Sequence, residues 1–115
     1  MTFDKVAERV LTLTGYKNSA FCGDINGEMI TAANTIGEEL KDYKAVKTFS
    51  DETGLDGTAV DALVYGICMM LTLINSDTEK NRVFAEIYNA KRAAAKCENV
   101  KIKNTLSDTL RGDGL

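Results

Sequence analysis

The sequence contains no proline, no tryptophan and no histidine, and only three cysteines in 115 residues. Without histidine, the chain lacks the side chain best suited to proton transfer near neutral pH, so histidine-dependent triads and histidine metal sites are excluded. The cysteines, Cys22, Cys68 and Cys97, lie far apart and form no CxxC pair. Because a structural zinc site needs four clustered ligands, this pattern predicts reduced thiols, no metal centre and no cofactor.

An enzyme is the weakest functional class for this composition. Cys22 is the only cysteine in a predicted loop and is therefore the one candidate nucleophile. A cysteine nucleophile without histidine needs another base, and none is evident in the sequence. Cys68 lies in the most apolar segment, where a small buried hydrophobic residue is expected. We therefore expect no catalytic residue.

No stretch of the chain matches a signal peptide or a membrane span. The first residues are interrupted by Asp4, Glu8 and Arg9, so they lack an uninterrupted apolar core. The apolar run Ala62–Ile74 has thirteen residues and is bounded closely by Asp61 and by a polar turn. A membrane span needs about 20 such residues. The run therefore predicts a buried core helix and no membrane partner.

Helical periodicity is the main signal that is present. Apolar residues recur at the spacing of one helical face in three segments, at about 2–12, 24–43 and 76–97, and the apolar run within 58–74 predicts a helix that is apolar all round. Thr2 is the expected N-cap of the first helix, and capping boxes at Thr58–Asp61 and Ser76–Glu79 mark the starts of the last two. Turn-forming residues dominate 44–57, which predicts a loop or a short extended segment in which Val46 and Phe49 either form a short strand or hold the loop onto the core.

These patterns predict a mainly all-α fold, a small bundle of about four helices in one domain over 1–98. An extended, partly flexible tail is expected over 99–115. Because only a short link joins the last two helices, they should form a long antiparallel hairpin in which Tyr88 packs on the Leu63–Ile67 region. The predicted core takes one apolar stripe from each helix: Phe3, Val10, Ile36, Leu63, Ile67, Leu71, Phe84, Ile87 and Tyr88.

Charge is divided unevenly along the chain. Residues 1–61 carry eleven acidic and six basic side chains, a net −5, whereas 80–103 carry seven basic and two acidic side chains, a net +5. One interpretation is a mixed solvated surface. The other is a head-to-tail interface in which the acidic part of one subunit meets the basic part of the next. The candidate interface residues are Glu38, Glu39, Asp42, Phe49, Lys91, Arg92, Lys96, Val100 and Ile102.

The predicted hairpin also carries a set of residues in a familiar order. Tyr65-Gly66 lies in the apolar helix, Ser76-Asp77 forms a short acidic turn, and Phe84 is followed by Tyr88 and the run 89–92, Asn-Ala-Lys-Arg. In this order the chain resembles the small head–tail connector (head-completion adaptor) proteins of long-tailed bacteriophages and prophages. The segments FDKVAERVLTLTGY and AANTIGEEL resemble the opening helices of that family.

The resemblance implies a structural subunit that assembles as a ring beneath the portal protein. Such a ring would extend the DNA channel and dock the next neck or tail protein, with DNA at most passing through. The protein would lie in the virion neck after assembly and in the cytoplasm of the bacterial host before it. Two alternatives stay open. One is a small cytoplasmic helical interaction or regulatory module with two-fold symmetry, and the other is a DNA-binding protein of the packaging machinery, with salt-dependent affinity through Lys91, Arg92 and Lys96.

Overall fold

A computed structural model describes residues 1–17 and 21–103, with side chains described as far as residue 97. It contains four helices, α1 (Phe3–Thr14), α2 (Ile25–Gly37), α3 (Gly57–Ile74) and α4 (Thr78–Lys103). The only β pairing within these described residues is one isolated antiparallel bridge between Thr2 and Glu52. The predicted all-α bundle of four helices is confirmed.

α3 is the central helix of the bundle. The other three helices each pack against it, α4 most extensively, and they make few contacts with one another. Leu63, Ile67 and Leu71 of α3 are completely buried. By length and mean hydropathy (1.8) α3 could cross a membrane, but half of it is buried inside the protein. Its apolar character follows from its position, since a helix surrounded on three sides needs apolar residues round most of its circumference.

The directions of the helices follow from contacts at the two ends of α3. Arg9 of α1 donates a hydrogen bond to Asp61 near the start of α3 (3.1 Å), and Tyr16 donates one to Asp77 just beyond its end. α1 therefore runs parallel to α3. The link of residues 75–77 turns the chain back, so α4 runs antiparallel to α3. The predicted helical hairpin is thereby confirmed.

Gly66 is the point at which α2, α3 and α4 meet. A Cβ atom placed on Gly66 would lie 2.7 Å from Cγ2 of Ile36 and 2.9 Å from Cε1 of Tyr88. Real Cβ atoms do not approach other atoms this closely, so only glycine permits this packing. Because Gly66 lies within the segment Leu63–Ile67, the expected contact of Tyr88 with that segment is confirmed.

Eight of the nine predicted core residues are buried, namely Phe3, Val10, Ile36, Leu63, Ile67, Leu71, Phe84 and Tyr88. The ninth, Ile87, is only half-buried, and Val83, one turn before it on α4, is 46% exposed. Both lie to one side of the Phe84–Tyr88 line on the helix surface. The apolar residues of α4 therefore cover a wider arc of the helix surface than α3 can bury. Ile87 was assigned to the core but is only partly buried.

Three predicted boundaries differ from the structure. α2 ends at Gly37, not near Tyr43, because the next residues form tight turns in which Asp42 takes a left-handed conformation (φ 69°). These turns bring the Tyr43 ring directly over Gly37. α1 continues two residues further than predicted, to Thr14. α4 continues to Lys103, so the backbone of 99–103 is helical instead of extended, and the predicted tail beyond it lies outside the described residues.

The loop 44–56 is non-helical, as expected, and it covers the start of α1. Thr2 holds the N-cap position, but its side chain makes no capping hydrogen bond. Instead, the N–H groups of Phe3 and Asp4 donate to the carbonyl oxygens of Asp51 (2.9 Å) and Phe49 (2.7 Å). The loop thus satisfies two of the four helix-end donors that would otherwise lack partners.

The two predicted capping boxes are wrong. α3 begins at Gly57 with Asp56 before it, so the Thr58–Asp61 pair lies inside the helix. Ser76 takes a left-handed conformation (φ 58°) in the turn, and α4 begins two residues later. In both cases the local pattern of residue types was present, but the helix begins one or two residues away from the predicted cap.

Candidate interaction surface

The turn that follows α2 faces the C-terminal half of α4. A guanidinium nitrogen of Arg92 donates to Oε1 of Glu39 at 2.8 Å. Beside this pair lies a cleft of about 200 Å³ that contains both signs of charge. We call it the polar cleft, and its lining residues are Glu39, Leu40, Lys41, Asp42, Gly54, Leu55, Asp56, Ala59, Ala95 and Lys96. Three predicted interface residues, Glu39, Asp42 and Lys96, are brought together here.

The other predicted interface residues have different surroundings. Glu38 is exposed on the turn, and Lys91 is half-buried on α4. Phe49 packs edge-on against Phe3, with 5.2 Å between ring centroids, so it contributes to this chain's own fold. The side chains of Val100 and Ile102 lie outside the described residues. Of the predicted interface residues, Glu39, Asp42 and Lys96 therefore line one cleft, whereas Phe49 packs on the core residue Phe3.

Part of the uneven charge is paired within a single chain. Glu39 comes from the acidic part of the sequence and Arg92 from the basic part, and their side chains are 49% and 34% exposed. A pair this exposed stabilises a fold by at most about 1 kcal/mol. A partner's charged groups can therefore compete for either side chain at little cost. The same pairing reduces the positive charge that Arg92 offers to nucleic acid.

Tyr88 forms the apolar base beneath this pair. Its ring is 4% exposed, and the Arg92 guanidinium lies 5.7 Å from the ring centroid. Burial and the nearby Glu39 carboxylate raise the pKa of Tyr88. Among the described residues the buried hydroxyl has no hydrogen-bond partner. The Tyr88 ring therefore packs in the core, and its hydroxyl lies near the side chains of Glu39 and Arg92.

Asn34 holds the chain that follows α2 and was missed by the sequence analysis. Its Oδ1 accepts hydrogen bonds from the Tyr43 hydroxyl (2.6 Å) and from the Val46 N–H (3.0 Å). Its Nδ2 donates to the Val46 carbonyl oxygen at 2.9 Å. Asparagine is disfavoured inside helices because its side chain competes with the backbone for hydrogen bonds. An asparagine in mid-helix was thus the available signal.

We predict that Asn34→Ala lowers the free energy of unfolding by about 1–2 kcal/mol, because it removes three hydrogen bonds, two of them to loop backbone. Chemical denaturation of the two proteins measures the difference. Thr35→Ala is the matched control: Thr35 is exposed, and its hydroxyl bonds only within α2, to the Thr31 carbonyl oxygen. The control should change stability by less than about 0.5 kcal/mol. Equal effects at both positions would contradict the role assigned to Asn34.

A second polar network closes the opposite end of the bundle. Lys80 donates to the Thr14 carbonyl oxygen (2.9 Å) and lies 5.4 Å from the centroid of the Tyr16 ring. Burial and the hydrogen bond to Asp77 raise the pKa of Tyr16 to about 12, while the same bond lowers the pKa of Asp77. These contacts hold the end of α1 against the turn between α3 and α4 and so stabilise the fold.

The cysteines divide by exposure. Cys68 is completely buried, and burial raises the pKa of its thiol to about 12, so it acts as a small core residue. Cys22 and Cys97 are exposed. The Cys22 thiol lies 3.7 Å from the Ile74 carbonyl oxygen. Within the described part of the chain, no group of three potential metal ligands lies close together.

No family model, curated protein or solved structure matches this chain.

Proposed function

We propose that this protein is a head–tail connector subunit, a structural protein that assembles as a ring under a phage portal. The observation that supports this most directly is that residues on which the resemblance rests contact one another across the hairpin. Gly66 lies against Tyr88, and the Tyr65 ring lies 6.2 Å from that of Phe84. Asp77 stands immediately before α4. Tyr65, Gly66, Phe84 and Tyr88 thus pack together between the two helices of the hairpin, and Asp77 lies in the turn that joins them.

A ring requires each subunit to present two different surfaces, one to each neighbour. The polar cleft is one candidate, since it exposes carboxylates and amines together. The end of α4 is the other. Ala95 lines the cleft near Ala59, close to the start of α3, and α4 continues from there to Lys103. At 1.5 Å per residue, the helix runs roughly 12 Å further along its axis.

Co-expression with the portal protein encoded nearest to this chain tests the proposal. Light scattering and electron microscopy of the copurified particle should show a cyclic ring of roughly a dozen copies stacked on the portal. A compact dimer without portal association would favour the regulatory module. Binding to DNA that falls steeply with salt, again without the portal, would favour the packaging protein.

We also predict that assembly on the portal weakens roughly tenfold between low and high salt, because exposed charges in and near the polar cleft are screened. Lys96→Glu, which reverses an exposed charge of the cleft, should weaken assembly at low salt. Lys17→Glu makes the same change at an exposed position near the opposite end and should leave assembly unchanged. Assembly that is insensitive to ionic strength would argue against the polar cleft as an interface.

A further inference from the structure

α4 carries two apolar faces, and only one of them is used inside the chain. Phe84, Tyr88 and Ala95 face α3 and are buried. The second face, which we call the α4 stripe, consists of Val83, Ile87, Ala90, Ala94 and Cys97. Val83 is 46% exposed, Ile87 is half-buried, and the other three residues are exposed. The stripe therefore includes two large aliphatic side chains that the bundle leaves partly uncovered.

The spacing of the α4 stripe is that of a coiled-coil seam. Its successive residues are separated by four, three, four and three positions. This alternation keeps apolar side chains in line along a helix that winds round a second helix. At 100° per residue, the stripe lies about a third of a turn away from the buried face. α3 therefore cannot cover both faces at once.

Charges beside the stripe favour a second copy of this chain as the occupant. Glu86 and Lys91 flank the seam on opposite sides, five residues apart. In a parallel pair of helices, side chains with this relation meet across the seam, so each Glu86 meets the Lys91 of the other copy. Within the described part of the chain, neither residue takes part in an ion pair. In an antiparallel pair, the side of the seam that carries Glu86 would instead face the Glu86 side of the other copy, and the Lys91 side would face the Lys91 side.

We propose that two copies of this protein associate through the α4 stripe as a parallel, two-fold symmetric pair. In this pair, each residue of the stripe meets the same residue of the other copy. Contacts made by Val83, Ala90 and Cys97 alternate along the seam with contacts made by Ile87 and Ala94. The seam covers residues 83–97, roughly 22 Å of helix, and the alanines let the two helices approach closely. A contact this short between small side chains gives a weak dimer whose population depends on concentration.

This pairing is independent of the connector proposal. A two-fold contact uses the same surface on both copies, whereas a ring joins two different surfaces. The pair therefore describes the free protein, and a portal-bound ring describes its assembled form. A dimer without a ring, or a ring without a dimer, would separate the two proposals.

Cys97 provides a direct test, because the parallel arrangement places the two Cys97 thiols opposite each other. In Cys22→Ser, Cys97 is the remaining exposed cysteine, since Cys68 is buried. Treatment of this variant with a short bis-maleimide should give a covalent dimer in good yield. Cys97→Ser, which keeps Cys22, should give no covalent dimer under the same conditions. Equal or absent cross-linking in the two variants would overturn the parallel pairing.

Sedimentation equilibrium on unlabelled protein tests the contact without chemistry. Ala94→Glu places a charge in the seam at an exposed position and should weaken the dimer tenfold or more, with unchanged helical circular dichroism. Glu86→Lys and Lys91→Glu should each weaken it roughly threefold to tenfold, and the double variant should restore it. A monomeric mass at every concentration, or no restoration in the double variant, would overturn the proposal.

Discussion

Replacing Tyr88 with alanine is expected to lower the free energy of unfolding by about 3–5 kcal/mol. The ring is almost completely buried and lies against Gly66, where the helices of the hairpin meet α2. Its removal would leave a cavity that Gly66, without a side chain, cannot fill. Chemical denaturation followed by circular dichroism measures the loss.

Tyr88→Phe is the matched control for this prediction. It keeps the ring and removes only a buried hydroxyl that has no hydrogen-bond partner among the described residues. Stability should therefore stay the same or rise slightly, because an unpaired buried hydroxyl is costly. If the phenylalanine variant lost as much stability as the alanine variant, the hydroxyl would have an essential partner and the account of Tyr88 would fail.

The second large effect is expected at Gly66. Gly66→Val should lower the free energy of unfolding by about 3 kcal/mol, and Gly66→Ala by less, because any Cβ would overlap Ile36 and the Tyr88 ring. The helix-propensity gain from replacing glycine, at most about 1 kcal/mol, offsets only part of this cost. Thermal and chemical denaturation of both variants measure the graded loss.

Gly27→Ala is the control, since it makes the same chemical change in another helix. A Cβ at Gly27 would meet only the carboxylate of Asp24, the movable end of an exposed side chain. The gain in helix propensity should dominate there and raise stability by up to about 1 kcal/mol. The two glycines are therefore expected to respond with opposite signs. A stabilising effect of Gly66→Ala would contradict the close approach of the three helices.

Much of this architecture was predictable because it depends on local patterns of apolar and polar residues along the chain. The apolar run Ala62–Ile74 identified the central helix, and the short link after it identified the hairpin. The end of α2 was not predictable from periodicity, since Leu40 is buried as a longer helix would require. What ends the helix is the return of Tyr43 onto Gly37 and Asn34, a contact between residues that local patterns treat separately.

The candidate surface was predictable only in part, for a similar reason. Charge counts identified Glu39, Asp42 and Lys96 as candidate interface residues but not the cleft between them, which depends on the turn after α2. Phe49 was a candidate interface residue in a segment that could also pack onto the core, and its ring does pack on Phe3. Ile87 was assigned to the core because α4 has more apolar residues than one face can hold. The sequence shows which side chains are apolar, but the packing of the helices decides which of them are buried.

The central position of α3 also sets the order in which this chain can acquire structure during synthesis. α1 and α2 leave the ribosome first, but each has its main packing partner in α3, so neither gains stability before about residue 74 has emerged. Short isolated helices are marginal in water. The nascent chain should therefore stay protease-sensitive until α3 is exposed, and it should become fully resistant only after α4, which packs most extensively on α3, has followed. In the finished protein, the slowest backbone amides to exchange with solvent should be those of α3, because exposing them requires all three surrounding helices to detach together.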